Sequence, residues 1–325
     1  MPRRAKVITP TTAPRPDENL IDPRDATAVV LNWRTATLTI RAVNALLVDG
    51  VPVGRIVVVD NGSGDGSVEA ISSAVPGCSV VALAENAGYA AANNRGAREL
   101  PGKAYLFINS DAFVSTPGSV ARLLAALEGQ AAVSVPRLLN DDGSLQPSVV
   151  PVSSALPALV RASGLSRLVP NRLQPSLGTR WDHGESRRIQ AAIGAVVAVR
   201  ADAWDALGGF AEREFMYAED LDLCWRAGDL GYDVRFVAEA AFVHLGNATA
   251  ARRWSDAARA ERVARAEAAM IHEHLPRPRA TLTVAIMAAG VGARAFVRAV
   301  QRRAVDASVL RGWFRGYRAG LFDSR

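Results

Sequence analysis

Arg55-Ile-Val-Val-Val-Asp60-Asn-Gly-Ser-Gly-Asp-Gly-Ser67 is a short β-branched run that ends on a carboxylate and opens into a glycine-rich turn. Such a run between turn signals reads as a buried strand. Before it lie a second β-branched run, Ala26 to Asn32 (ATAVVLN), and a stretch with apolar residues at helical intervals, Thr35 to Val48. The three segments make a βαβ opening. The alternation continues with a helix over Ser67 to Val75, a strand over Ser79 to Leu83, a helix over Tyr89 to Leu100 and a strand over Lys103 to Asn109. Strands alternating with helices predict a parallel, helix-covered α/β sheet.

Beyond it, Pro117 to Gly129 reads as a helix and Ala131 to Pro136 as a strand. From Leu138 to Arg187 Pro, Ser, Arg and Asp recur without period, which predicts a loop-rich excursion. Order returns over Ile189 to Arg200, with a helix at Ala201 to Leu207, a break at Gly208-Gly209, an acidic helix from about Glu219 and strands near Val234 and at Ala241 to His244. The second half is therefore expected to be mixed, and no internal repeat is evident.

The 325 residues permit one large α/β domain with an appendage. Residues 1–25, rich in Pro, Arg, Thr and Asp, read as a disordered leader with no apolar core of a signal or anchor, which points to the cytoplasm. Cys78 and Cys224 are far apart and outside any metal-ligand pattern, so both read as core residues. Net charge is 38 − 32 = +6, yet from Pro276 onward ten Arg face two Asp, so the tail alone carries +8. Ala280 to Ala293 is an apolar run shorter than the roughly 20 residues of a spanning helix. Arg294, Arg298 and Arg302 then recur beside Phe296, Val297 and Val300, and Arg311, Arg315 and Arg318 among Trp313, Phe314 and Tyr317. This pattern fits an interfacial amphipathic segment on an anionic membrane, and equally a helix pair packed on the domain. Nucleic acid is not expected as a partner.

Asp60 ends a strand at the edge where α/β sheets bind ligands, and can accept hydrogen bonds from a base or ribose. The first strand leads into Asn32-Trp-Arg-Thr-Ala-Thr37, which lacks the GxGxxG turn of a dinucleotide site. At the same edge, Asn109-Ser110-Asp111 follows a buried strand, and hard cations take carboxylate oxygens together with substrate phosphates. His244 ends a late strand, where an imidazole completes a metal site or touches a phosphate. His183, His272 and His274 read as incidental. In Phe215-Met-Tyr-Ala-Glu219-Asp220-Leu-Asp222-Leu-Cys-Trp-Arg226, adjacent carboxylates stand at a helix start, where acids also complement the helix dipole by about 0.3–1 kcal/mol. The flanking aromatics and Gly208-Gly209-Phe210 favour a loop that approaches a ligand, while Asp222 is free to pair with Arg226.

In combination VVLNW (29–33), VVVDNGSGDGS (57–67), ENAGYAAANNRG (85–96), FINSDAF (107–113), GGF (208–210), FMYAEDLDLCWR (215–226) and His244 resemble family-2 inverting glycosyltransferases of the GT-A fold, most of all bacterial rhamnosyltransferases. The likeness covers roughly residues 26–250, leaving 251–325 as a basic, amphipathic helical region. It implies a Rossmann-like mixed sheet flanked by helices, with Asp220 as catalytic base and Glu219 as acceptor-site or supporting acid. It assigns donor binding to Asn32, Asp60, Asn86, Gly88, Tyr89, Asn94, Asn109 and Ser110, and a divalent cation, Mg or Mn, to Asp111 and His244. The DxD-type motif appears as Asn109-Ser-Asp111, so only its second acid is present. The implied donor is a nucleotide-diphosphate sugar, dTDP-L-rhamnose in the first instance. The implied acceptor is a glycan, polyprenyl-linked or soluble, met at the inner face of the membrane; a homo-oligomer is allowed. An inactive nucleotide-sugar-binding protein is the rival reading from another class.

Overall fold

The computed structural model describes residues 20–322 apart from 153, 178–180, 214–215, 247–254 and 302–303. The first half follows the predicted alternation: β1 (Ala26–Asn32), α1 (Ala36–Val48), β2 (Ile56–Asp60), α2 (Ser67–Ala74), β3 (Ser79–Ala82), α3 (Tyr89–Glu99) and β4 (Ala104–Asn109). Then come β5 (Ala112–Val114), α4 (Ser119–Ala125), β6 (Ala131–Leu139), β7 (Leu145–Gln146), β8 (Val149–Val150), α5 (Ala155–Ser163) and α6 (Gln174–Leu177). The chain closes with β9 (Arg187–Ile189), β10 (Ala191–Ala192), β11 (Val196–Arg200), α7 (Ala201–Leu207), α8 (Glu219–Asp229), β12 (Asp233–His244), α9 (Asp256–His274), α10 (Arg277–Val300) and α11 (Ala304–Phe322).

The main sheet runs β3-β2-β1-β4-β11-β6-β12-β5. Its first four strands are parallel, β11 lies antiparallel between β4 and β6, and β12 returns parallel to β6. Asn32 stands opposite Asp60 and Leu31 opposite Asn109, so three strands present their carboxyl ends at one edge. The β12 strand is a single element across a register shift between Val237 and Ala241, which explains why its two halves read as separate strands in sequence. Apolar side chains fill both faces of the sheet. Val30, Val58, Leu106 and Ile108 pack beneath α1, α2 and α4, and Val29, Val59, Phe107 and Val197 beneath α3, α7 and α8. On the second face Phe107 contacts Trp204 and Phe210 with ring centroids 4.6 and 4.9 Å apart, pairs worth about 0.5–1.5 kcal/mol each beyond burial.

The excursion from Leu138 to Arg187 carries more regular structure than its composition suggests, because its helix α5 is stabilised by packing on α10 rather than by its own period. A Cβ on Gly290 would lie 2.4 Å from that of Ala162, a measure of how closely the two helices approach. Tyr317, Ala264, Ala268 and Val284 join Ala158 in a third core, so α9, α10 and α11 are packed helices. The α10 helix, 24 residues long, is long and apolar enough to cross a membrane, and 44% of its apolar window is buried inside the protein. Arg302 and the boundary at residue 250 lie outside the described residues.

α3 lies on the sheet where Gly96 allows it. A Cβ there would come 2.4 Å from Cγ1 of Val29 and 2.8 Å from Cγ2 of Val59, both stiff, fully buried side chains. Gly96→Ala is expected to destabilise the protein by about 1–3 kcal/mol through overpacking, measured as a lowered urea midpoint.

Candidate active site

A cavity of about 410 Å³ opens at the carboxyl edge of the sheet. Its walls bring together Asn86, Tyr89, Asn109, Ser110, Asp111, Glu219, Asp220 and His244. These eight predicted residues, drawn from four separated stretches of chain, thus share one space. The other four do not line it.

Asp60 is buried, and its carboxylate is taken up locally: Oδ1 accepts from Asn32 Nδ2 at 2.6 Å and Ser63 Oγ at 2.5 Å, and Oδ2 from the Ser63 amide at 3.0 Å. Asn32 Oδ1 accepts from Thr35 and Thr39, and the Thr35 hydroxyl oxygen lies 2.9 Å from Ser110 Oγ. Asp60 and Asn32 therefore brace the strand ends under the cavity floor. Gly88, with φ +89°, caps α3, and its carbonyl accepts from Asn61 Nδ2 at 3.1 Å. Asn94 is committed to Phe210: its Oδ1 accepts from the Phe210 amide at 2.9 Å and its Nδ2 donates to the Phe210 carbonyl at 2.9 Å. The Gly208-Gly209-Phe210 turn, expected to approach a ligand, is instead a core anchor. Phe210 is buried against Tyr89 and Trp204, and a Cβ on Gly209 would meet Asn94 Oδ1 at 2.7 Å.

At the Asp111 station, His244 Nε2 faces Asp111 Oδ1 at 3.4 Å and receives Asn109 Nδ2 at 3.4 Å. Its Nδ1 lies 2.8 Å from Gln146 Oε1, while Gln146 Nε2 donates to the His244 carbonyl at 3.0 Å and to Asn140 Oδ1 at 3.1 Å. With the amide nitrogen so engaged, Gln146 Oε1 is an acceptor, so His244 carries a proton on Nδ1. An imidazole nitrogen and a carboxylate oxygen side by side are a donor set suited to a cation, and Gln146 fixes the ring's orientation. The described residues contain no cluster of three or more His, Cys, Asp or Glu able to hold a metal by themselves. A cation here would take its remaining oxygens from a ligand.

The acidic pair sits at the first turn of α8, which follows two non-glycine residues in left-handed backbone, Tyr217 (φ +86°) and Ala218 (φ +70°). That conformation costs of order 1–3 kcal/mol per residue and persists only where the surroundings over-determine it. The surroundings here are specific. Asp220 Oδ2 accepts from the Gly194 amide at 2.6 Å and Oδ1 from the Leu221 amide at 2.8 Å, while Tyr89 Oη donates to the Gly194 carbonyl at 2.9 Å. Asp222 is locked too, between Arg226 at 2.7 Å and His274 at 2.8 Å, which holds its carboxyl below the usual range against the opposing effect of burial. The imidazole of His274 stacks on Trp225 at 4.5 Å. His274 is thus a partly buried link between α9 and α8, and His183 is a buried core residue stacked on Trp181; neither lines the cavity.

Burial pushes Glu219 up to about 8, and the adjacent Asp220 adds to the rise. Burial raises Asp220 as well, but two backbone N–H groups favour its ionised form. Glu219 Oε2 is buried and has no hydrogen-bond partner among the described residues. Burial thus raises both carboxyls of the pair, Glu219 far enough to be neutral near pH 7. Trp33, Asn61, Met216, Gly194 and Arg259 also line the cavity, beyond the residues expected from the sequence, and Tyr217 lines it as the flanking aromatic expected to approach a ligand. Met216 is the neighbour of Tyr217, whereas Gly194 and Arg259 carry no local signal. Phe215 lies outside the described residues.

Residues 29–161 match the profile of Glycosyl transferase family 2, and residues 177–277 that of Glycosyl transferase family group 2. The chain belongs to glycosyltransferase family 2. Two curated relatives of this family-2 chain, both named N-acetylglucosaminyl-diphospho-decaprenol L-rhamnosyltransferase and both from Mycobacterium tuberculosis strains, are 28% identical over 214 residues, covering 58% of this chain. The match spans just under two thirds (66%) of those relatives' length. Among solved structures, the mannosyltransferase PcManGT from Pyrobaculum calidifontis, in complex with GDP-Man and Mn2+, superposes with a TM-score of 0.55 at 17% identity, covering 94% of this chain and 88% of that one. S. aureus TarS 1-349 in complex with UDP-GlcNAc gives 0.51 at 15% identity, covering 91% and 92%. The fold is that of the GT-A glycosyltransferases.

Glu219 gives a pH-dependent stability. Its folded pKa, about 8, lies above the ordinary 4.5, so its contribution is fully present below pH 4.5 and is lost as pH rises toward 8. Glu219→Gln removes that titration. Thermal melts of both proteins from pH 5 to pH 8 are expected to show wild type losing stability relative to the variant by up to about 1.4 kcal/mol per pH unit; a pH-independent difference contradicts the raised carboxyl.

Proposed function

We propose that the protein is an inverting glycosyltransferase that moves a sugar, in the first instance L-rhamnose from dTDP-L-rhamnose, to a hydroxyl of a polyprenyl-linked cell-envelope glycan. The observation that carries this reading is that Asp111 and His244 line the same cavity as the Glu219–Asp220 pair. One station suits a diphosphate and its cation, the other a hydroxyl that must lose a proton. The rhamnose donor and lipid-linked acceptor are supported by the names of the two mycobacterial relatives.

The acceptor oxygen attacks the anomeric carbon, its proton passes to Asp220, and the bond from that carbon to the diphosphate oxygen breaks with its electron pair leaving on the diphosphate. The transition state has the oxocarbenium character that glycoside hydrolysis shares. The Gly194 and Leu221 amides hold the Asp220 carboxylate in one orientation, and neutral Glu219 spares the site a second negative charge beside it. Asp111 and His244 are the residues that would hold Mg²⁺ or Mn²⁺, which supplies charge neutralisation for the leaving diphosphate. Mn2+ in the PcManGT complex supports that choice of ion.

The acceptor would be met at the inner membrane surface. Phe296, Val297 and Val300 are exposed at the end of α10 beside Arg294 and Arg298, in keeping with peripheral contact there. A different nucleotide sugar passed to a soluble acceptor, or binding without turnover, are the rival outcomes. Asp220→Asn is expected to lower the transfer rate by about 10² to 10⁴ while nucleotide-sugar affinity changes little, measured with a panel of labelled nucleotide sugars and a polyprenyl-diphosphate-linked acceptor. Unchanged turnover would remove Asp220 as base, and no transfer by wild type from any donor would favour the binding protein.

A further inference from the structure

We propose that Arg259, contributed by α9, is a diphosphate-binding residue of the active-site cavity; this rests on the transferase reading above. Arg259 is the only lysine or arginine among the described residues lining that cavity, whose other ionisable groups include Asp111, Glu219 and Asp220. A diphosphate entering among three acidic side chains needs positive charge on the wall, and a guanidinium offers five donors in a fixed fork matched to phosphate oxygens. Val263, one turn further along α9, lines the same cavity, so this helix presents one face to it.

The first turns of α9 are held rigidly. Ser255 Oγ caps the helix by accepting from the Ala258 amide at 3.3 Å. On the side of α11, a Cβ on Gly312 would lie 2.2 Å from the Ala257 carbonyl oxygen, and one on Gly316 2.3 Å from that of Glu261. Arg315 also bonds Glu261 at 2.8 Å. Ala257 and Glu261 flank Arg259 in sequence, so the packing of α11 fixes the helix that carries it. A donor group positioned before the ligand arrives stabilises developing charge without reorganisation. The carboxy-terminal region is thereby part of the catalytic cavity, whatever it does at a membrane.

Two diphosphates meet in the proposed reaction, that of the nucleotide and that of the lipid carrier, and both offer the same chemistry to Arg259. The test uses the full chain as wild type, Arg259→Gln and Arg259→Lys. UDP, GDP and dTDP and their monophosphates are titrated by calorimetry with Mn²⁺ or Mg²⁺, and KM is measured for a polyprenyl-diphosphate-linked sugar. Donor contact predicts about a tenfold to hundredfold weaker diphosphate binding in Arg259→Gln, with monophosphate affinity little changed and partial recovery in Arg259→Lys. Acceptor contact predicts the same factor in the acceptor KM with diphosphate affinity unchanged. Neither quantity moving in Arg259→Gln, while wild type binds a nucleoside diphosphate, overturns the assignment alone. Failure of wild type to bind any of the three overturns the transferase reading and this contact with it.

Discussion

Much of the site depends on one glycine. Gly194 donates its amide to Asp220 and accepts the Tyr89 hydroxyl on its carbonyl, so one peptide segment joins α8 to α3 across the cavity. A side chain cannot replace its hydrogen, because a Cβ would come 2.7 Å from Cβ of Asp220. That close approach is made at the first turn of α8, just after the left-handed backbone at Tyr217 and Ala218. The strain is offset by bonds made a step later: the two amides on Asp220, and the Asp222 network with Arg226 and His274 that draws α9 against α8.

The second constraint is charge. Three carboxyl groups around one cavity repel each other and resist burial, and the structure answers each differently. Asp220 receives backbone donors, Asp111 stands beside an imidazole with which it could share a cation, and Glu219 is pushed toward its protonated form. On the proposed reading Asp220 takes the proton and Asp111 meets the cation, within a cavity of about 410 Å³.

The local periods made the first half of the fold legible: each strand from Ala26 to Asn109 has its own β-branched or aromatic and aliphatic run, and each ends in a turn or a cap. They also made legible the acids at Asp111, Glu219 and Asp220 and the imidazole at His244, because strand ends and helix starts are where ligand chemistry gathers. The role of Asp60 was less accessible. Whether an acid at a strand end faces a ligand or is captured by Asn32 and Ser63 depends on side chains at other strand ends, which sequence spacing does not rank. Asn94 turned out to hold Phe210, more than a hundred residues away, and α5 is stabilised by α10 across a similar distance. Arg259 reaches the cavity on α9, a helix held by α11 and by the His274–Asp222 contact, and no pattern near Arg259 announces it.

The most direct measurement is the anomeric configuration of the transferred sugar, read by NMR on product made by wild type from a nucleotide sugar of known configuration. A single attack with Asp220 as base and no enzyme nucleophile requires inversion at the anomeric carbon. Retention would mean that a covalent or front-face step intervenes, and would contradict the roles given to Asp220 and Glu219.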